Sequence, residues 1–314
     1  MIEPKTVDDL SKDDMNDFNV RSTMKKKLTI IIFSLIFAVI NSGCARAQGV
    51  LQEIQQTGVL KVGMRKDAAP FGYVSGAKWE GICLELMNGF KEDLEQKLNR
   101  NITIEKLETI LDEDSEQGRH RSVANNRVHL ECGPNTIRKN PPTGVIYSER
   151  FFTTGTYLMM KPDRRLTVNP DGFLEGILIG VLNDSLTQKF IDSRYQLADQ
   201  KVYQGASGRE TAVKDAISGT IDAFASDGIL LVGEAFRQGL KENQYALEPN
   251  RPLTCISYGM ILPANDSEWQ KTVNEYVVTK RQISAITDIL TRLAGGTSPF
   301  IGVTISAQDK CSGL

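Results

Sequence analysis

The chain has 314 residues, more than one ordinary hydrophobic core holds and suited to two lobes of about 100 to 150 residues each. Hydrophobic residues at 40% against 24% charged residues exclude a disordered chain and predict a globular fold. With Lys+Arg 37 against Asp+Glu 39 the formal charge is -2, so no global electrostatic pull toward nucleic acid exists.

The first feature in chain order is Met24-Lys25-Lys26-Lys27 followed by an apolar run from Leu28 to Ile40, the basic and apolar regions of a secretory signal. A membrane-crossing helix needs about 20 apolar residues, and this run stops at Asn41-Ser42-Gly43. Residues 1–47 therefore read as an N-terminal extension and signal peptide, with the true start at Met1 or Met24. Two cleavage sites compete. Ser42-Gly43-Cys44 has the form of a lipoprotein signal that would place lipid on Cys44, and Ala45-Arg46-Ala47 has the small-x-small form that would release a free chain from Gln48. Either way the protein is expected outside the cytoplasm, periplasmic or extracellular, tethered or free. Export permits disulfides, and Cys83, Cys132, Cys255 and Cys311 allow three complete pairings. None has the close spacing of a zinc or redox site, and no cofactor or metal is expected.

Gly58 to Met64 reads as a short strand entering a loop, turned by Pro70-Phe71-Gly72-Tyr73. Between Gly81 and Leu98 the apolar residues Ile82, Leu86, Met87, Phe90, Leu94 and Leu98 recur at three- and four-residue steps, which predicts a helix with one buried stripe. Strands follow at Ile102-Thr103-Ile104 and Arg127 to Cys132. The series restarts with a strand at Ile177 to Leu182, a helix capped at Asp184 or Ser185, a helix over Glu210 to Ser218 and a strand at Ile221 to Ala225. Tyr258 to Pro263 is a strand that could return the chain to the first lobe, and Trp269 to Leu293 is helical in period. Alternating strands and helices predict an α/β fold with mostly parallel sheets.

In order and spacing, four segments resemble the family 3 solute-binding proteins of amino-acid ABC importers, particularly the glutamate/aspartate branch. They are Leu60 to Arg65 with Pro70 to Tyr73, Leu130 to Thr136, Ser218 to Asp227, and Tyr258-Gly259-Met260, and the resemblance spans Gly58 to Leu293. It implies a two-lobed type II clamp with crossover strands near Met160 and Tyr258. Lobe 1 would comprise 48–159 plus 263–314 and lobe 2 would comprise 160–262. The implied role is a monomeric binding protein that holds a small polar amino-acid ligand between the lobes and delivers it to an importer permease.

The resemblance also places the site. Asp227 would take the ligand's α-ammonium, because a desolvated ammonium needs a paired carboxylate. Arg65 and Arg119 would meet an acidic side chain, with Arg121 the alternative to Arg119, and Arg209 stands at a second-lobe position that the family fills with histidine. The loop Gly133-Pro134-Asn135-Thr136 would offer backbone N–H groups and the Thr136 hydroxyl. Ser185 would present a helix N-terminus, and Phe71 an aromatic wall. One departure stands out: Pro141 occupies the position of the family's α-carboxylate arginine, with Arg138 three residues earlier as its substitute. Three arginines call for an anionic ligand such as glutamate or aspartate; if Glu116 or Asp184 pairs with them, a neutral ligand such as glutamine fits better. The enzyme alternative, a dehydratase-like activity on the same fold, would have to work with His120 and His129 only, and no GxSxG, HExxH or phosphate-binding loop occurs. A sensory ligand-binding domain is the other alternative.

Overall fold

The computed structural model describes residues 49–112, 115–183, 185–280, 283–294 and 299–311. The signal segment, Cys44 and Asp184 lie outside the described residues. The unit Gly49–Leu314 holds two five-stranded sheets.

In the first sheet, strand Val59–Met64 runs parallel to Thr103–Glu108 on one side and to Leu130–Glu131 on the other. Its inner position explains why Leu60, Val62 and Met64 are all buried. Ile261–Pro263 and Val145–Tyr147 complete the sheet as an antiparallel pair. The helix Ile82–Leu98 covers one face with Ile82, Cys83, Leu86, Met87, Phe90 and Leu94, the stripe that the periodicity predicts. It ends at Asn99, which takes the left-handed conformation (φ 46°) that closes a helix. The helical stretch expected from Trp269 to Leu293 is two helices, Ser267–Lys280 and Ile283–Ala294.

The second sheet has the order Asp199–Tyr203, Leu178–Leu182, Ala223–Asp227, Thr156–Met160, Ala246–Glu248. The first three strands are parallel, and Thr156–Met160 is antiparallel to both of its neighbours. Thr156–Met160 therefore belongs to lobe 2, which moves the first boundary upstream of the expected residue 160. The return to lobe 1 begins at Ile261 rather than 263, because Ile261 already pairs with Glu131 and Tyr147.

Two extended segments connect the lobes, Phe152–Thr154 and Ile256–Tyr258, and they pair with each other as an antiparallel ribbon. Gly155 sits where this ribbon enters lobe 2. A Cβ there would lie 1.9 Å from the Thr254 carbonyl oxygen, so only glycine allows the strands to approach.

Of the three possible pairings, the cysteines adopt Cys83–Cys132 and Cys255–Cys311. The first joins the helix Ile82–Leu98 to the strand that opens the Gly133–Thr136 loop. The second ties the C-terminal helix Pro299–Cys311 to the second crossover. That helix, expected within lobe 1, touches both lobes: Phe300 and Val303 join the core cluster of lobe 1, while Phe300 meets Phe236 at 5.8 Å and Ser306 shares a 3.1 Å hydrogen bond donated by Tyr157 of lobe 2. Among the described residues no helix is long and apolar enough to cross a membrane.

Candidate functional site

The cleft opens where strands of both sheets end, the usual place for a ligand in an α/β fold. Arg65 follows the strand Val59–Met64, and Asp227 closes the strand Ala223–Asp227. Ser185 caps the helix Leu186–Arg194, its Oγ accepting the Gln188 N–H at 2.9 Å. The Gly133–Thr136 loop is sewn to the second crossover: Ile137 N–H donates to the Ser257 carbonyl at 2.9 Å and Gly259 N–H to the Asn135 carbonyl at 3.0 Å. Arg65, Arg119, Pro134, Thr136, Ser185, Arg209 and Asp227 all line one space between the lobes, with about 520 Å³ of empty volume.

Two sequence candidates stand apart from this lining. Phe71 is fully buried and packs edge-on against Phe152 at 5.2 Å and Tyr258 at 5.3 Å, so it supports the crossovers from behind. Arg138 is half-buried beyond the loop and does not line the space, so it does not replace the arginine that Pro141 displaces.

Carboxylates that sequence reasoning did not select accompany the cations. Asp67 accepts a fork from Arg65, from Nε at 2.8 Å and from Nη2 at 2.6 Å. Arg119 Nη1 donates to Asn135 Oδ1 at 3.2 Å, and the Asn135 amide in turn donates a short hydrogen bond to Glu131. Glu131 is fully buried and also accepts from Thr109 Oγ1 at 3.1 Å. Gly133 makes room for it, since a Cβ there would stand 2.9 Å from Glu131 Oε1. Arg209 Nη1 donates to Ser226 Oγ at 2.7 Å, and its buried Nε has no hydrogen-bond partner among the described residues. Asp227 accepts a short hydrogen bond from the Tyr258 hydroxyl and one from Thr187 Oγ1 at 3.3 Å.

Burial sets the electrostatics of these groups. It penalises the charge of Arg65, but the Asp67 carboxylate more than offsets this and holds the guanidinium above its ordinary value. Burial likewise disfavours the Asp67 charge, yet Arg65 holds that carboxyl below its ordinary value. Glu131 and Asp227 are pushed up by burial despite Arg119 beside the first and the Tyr258 hydroxyl on the second. Arg209 is pushed down, by burial first and by the like charge of Arg65 second. Of the two expected counter-charges, Asp184 lies outside the described residues, and Glu116 pairs with Arg121 at 3.3 Å on the exposed surface. Asp67 was legible as a partner, because residues two apart in an extended segment share a face. Glu131 lies between Leu130 and Cys132 in a buried strand, where no local pattern marks it.

Both histidines serve the scaffold: His120 Nε2 lies 3.0 Å from the Tyr147 hydroxyl, and His129 Nδ1 accepts the Lys61 N–H at 3.1 Å. Among the described residues no group of three His, Cys, Asp or Glu side chains could hold a metal ion.

No family model matches the chain. It is 26% identical over 239 residues to the glutamate/aspartate import solute-binding protein of Salmonella typhimurium, covering 75% of this chain and 76% of that one. The chain is a relative of these solute-binding proteins. The protein of the same description from Escherichia coli is 24% identical over 260 residues, covering 81% of this chain and 83% of that one. Among solved structures, an ancestral amino-acid-binding protein described as a precursor of cyclohexadienyl dehydratase superposes with a TM-score of 0.63. It shares 16% identity and covers 78% of this chain and 99% of that one. The two sheets and paired crossovers are thus the two-lobed type II clamp of the solute-binding proteins.

Proposed function

We propose that this chain is an exported solute-binding protein that closes its two lobes around an amino acid and delivers it to an ABC importer. The observation that carries the reading is the convergence of Arg119, Arg209 and Asp227, with the Pro134–Thr136 loop, on one buried space. An α-amino acid presents an ammonium and a carboxylate two bonds apart. Asp227 is the group for the first, and guanidinium with loop N–H groups for the second. In this reading Arg119 takes over the clamp that Pro141 cannot supply.

The protein binds rather than transforms its ligand. Both histidines are engaged in the scaffold, and neither lines the space, which supports capture over turnover. The crossovers Phe152–Thr154 and Ile256–Tyr258 would flex while the sheets stay rigid, and the permease would recognise the closed monomer. Lipid on Cys44 or release from Gln48 would place it outside the cytoplasm.

Calorimetry on the mature chain against a panel of amino acids, coupled to product analysis, tests this. A one-to-one complex without product is expected. Arg119→Ala should weaken binding by about 2 to 5 kcal/mol, as for a desolvated charge pair. Turnover of the bound compound, or no binding by any amino acid, would overturn the proposal.

A further inference from the structure

Two residues after the first cleft arginine stands a carboxylate that answers it. Asp67 accepts Arg65 Nε with Oδ1 at 2.8 Å and Arg65 Nη2 with Oδ2 at 2.6 Å. The pair is withdrawn from water, with side-chain exposures of 2% and 15%. This is the two-point fork that a guanidinium gives to a free carboxylate, and here an internal group fills it.

The backbone fixes Asp67 in that place. It opens the strand Asp67–Ala68, whose hairpin with Gly72–Ser75 sets Asp67 opposite Tyr73. A Cβ at position 72 would lie 2.5 Å from the Arg65 carbonyl oxygen, so glycine is what lets the hairpin fold this closely onto Arg65. Lobe 2 approaches the same segment through the helix Gly228–Arg237, where a Cβ on Gly233 would lie 2.0 Å from the Ala69 carbonyl oxygen. The segment that carries Asp67 is thus packed between Arg65 and that helix.

The fork alters the charge balance of the cleft. Among the described residues Arg65, Arg119 and Arg209 are accompanied by Asp67, Glu131 and Asp227, three cations with three carboxylates. Each carboxylate feels two of the cations: Asp67 those of Arg65 and Arg209, Glu131 those of Arg119 and Arg65, Asp227 those of Arg209 and Arg119. A zwitterionic head group with an uncharged side chain adds no net charge to this cluster. A second ligand carboxylate adds a buried negative charge with no cation in excess to meet it, which costs desolvation without compensation.

We infer that Asp67 is the specificity-determining residue of the cleft: it fills the Arg65 fork in place of a ligand's side-chain carboxylate and so turns the site against glutamate and aspartate. This rests on the solute-binding reading and deepens it.

Calorimetric titration of the mature chain with the isosteric pairs glutamate and glutamine, aspartate and asparagine tests the inference. It is carried out on the wild type, on Asp67→Asn and on the double variant Arg65→Gln/Asp67→Asn, with thermal melts to confirm folding. In the wild type each amide should bind at least about tenfold more tightly than its acid. Asp67→Asn keeps the volume and one acceptor for Arg65 but removes the charge, so it should raise the affinity for glutamate relative to glutamine by about tenfold. The double variant should lose that gain, because the gain depends on the Arg65 cation. The inference is overturned if glutamate binds the wild type as tightly as glutamine, if Asp67→Asn gains no affinity for glutamate, or if the gain survives in the double variant. The wild-type comparison decides the matter even where a variant does not fold. In each case the solute-binding reading stands if any amino acid binds the wild type and falls if none does.

Discussion

The two walls of the cleft present the same side-chain types, but their charges are tied down differently. On the lobe 1 wall Arg65 is forked onto Asp67, and Arg119 reaches Glu131 through Asn135, all within one sheet and the loops leaving it. The loop that carries Asn135 follows Cys132, which the disulfide to Cys83 anchors to the helix behind. On the lobe 2 wall Arg209 donates to the Ser226 hydroxyl and has no ion pair within 4 Å among the described residues, and Asp227 leans on Tyr258 from the crossover. Lobe 1 thus holds a preformed, internally neutralised surface, whereas lobe 2 carries a buried cation that a ligand carboxylate would complete. In the proposed function, a ligand arriving on lobe 1 would supply what lobe 2 lacks, which is the thermodynamic condition for ligand-driven closure.

The sharpest way to break this comparison is to remove one charge from each wall. Glu131→Ala takes the acceptor from a buried network and leaves the Asn135 amide and the Thr109 hydroxyl without it. It should lower unfolding free energy by about 3 to 5 kcal/mol in a urea titration. Arg209→Ala removes a cation that burial and Arg65 already disfavour, so stability should stay within about 1 kcal/mol while ligand affinity falls sharply. Equal stability costs for the two variants would erase the distinction between the walls.

A smaller effect is expected from pH, and its sign differs between carboxylates. Asp67 has a folded pKa below its ordinary value of 3.8, so it contributes stability above that pH and loses it as pH falls through the folded pKa. Glu131 has a folded pKa above its ordinary value of 4.5, so the folded state binds the extra proton just above pH 4.5 and stability declines as pH rises through that window. Glu131→Gln should flatten the decline without moving the acid limb that Asp67 sets. Thermal melts between these limits in both proteins check it, and an unchanged slope in Glu131→Gln would assign the decline to another group such as Asp227.

The smallest effect concerns the surface. Arg121 stands two residues from Arg119 but pairs with Glu116 on an exposed face, a geometry worth about 0 to 1 kcal/mol. Arg121→Ala should therefore leave both stability and ligand affinity nearly unchanged, in contrast to Arg119→Ala. A loss of affinity in Arg121→Ala would place the wrong arginine in the cleft.

The sequence by itself determined the features that depend on near neighbours. The stripe from Ile82 to Leu94 follows from helical period, and the strands at Val59 and Ala223 follow from short apolar runs between turn signals. The order of motifs placed Arg65, Arg119, Arg209 and Asp227 at element ends that face one cleft. What only the tertiary structure decided depends on residues far apart in the chain. Sheet partners assigned Thr156–Met160 to lobe 2, and long-range packing set the C-terminal helix against both lobes and Phe71 behind the crossovers. The disulfide pairing and the Glu131–Asn135–Arg119 chain arose the same way, because backbone registers set which thiols and which charges meet. Local periodicity fixes which face of an element is apolar, but a buried charge is selected by the groups that the completed fold brings within hydrogen-bond reach of it.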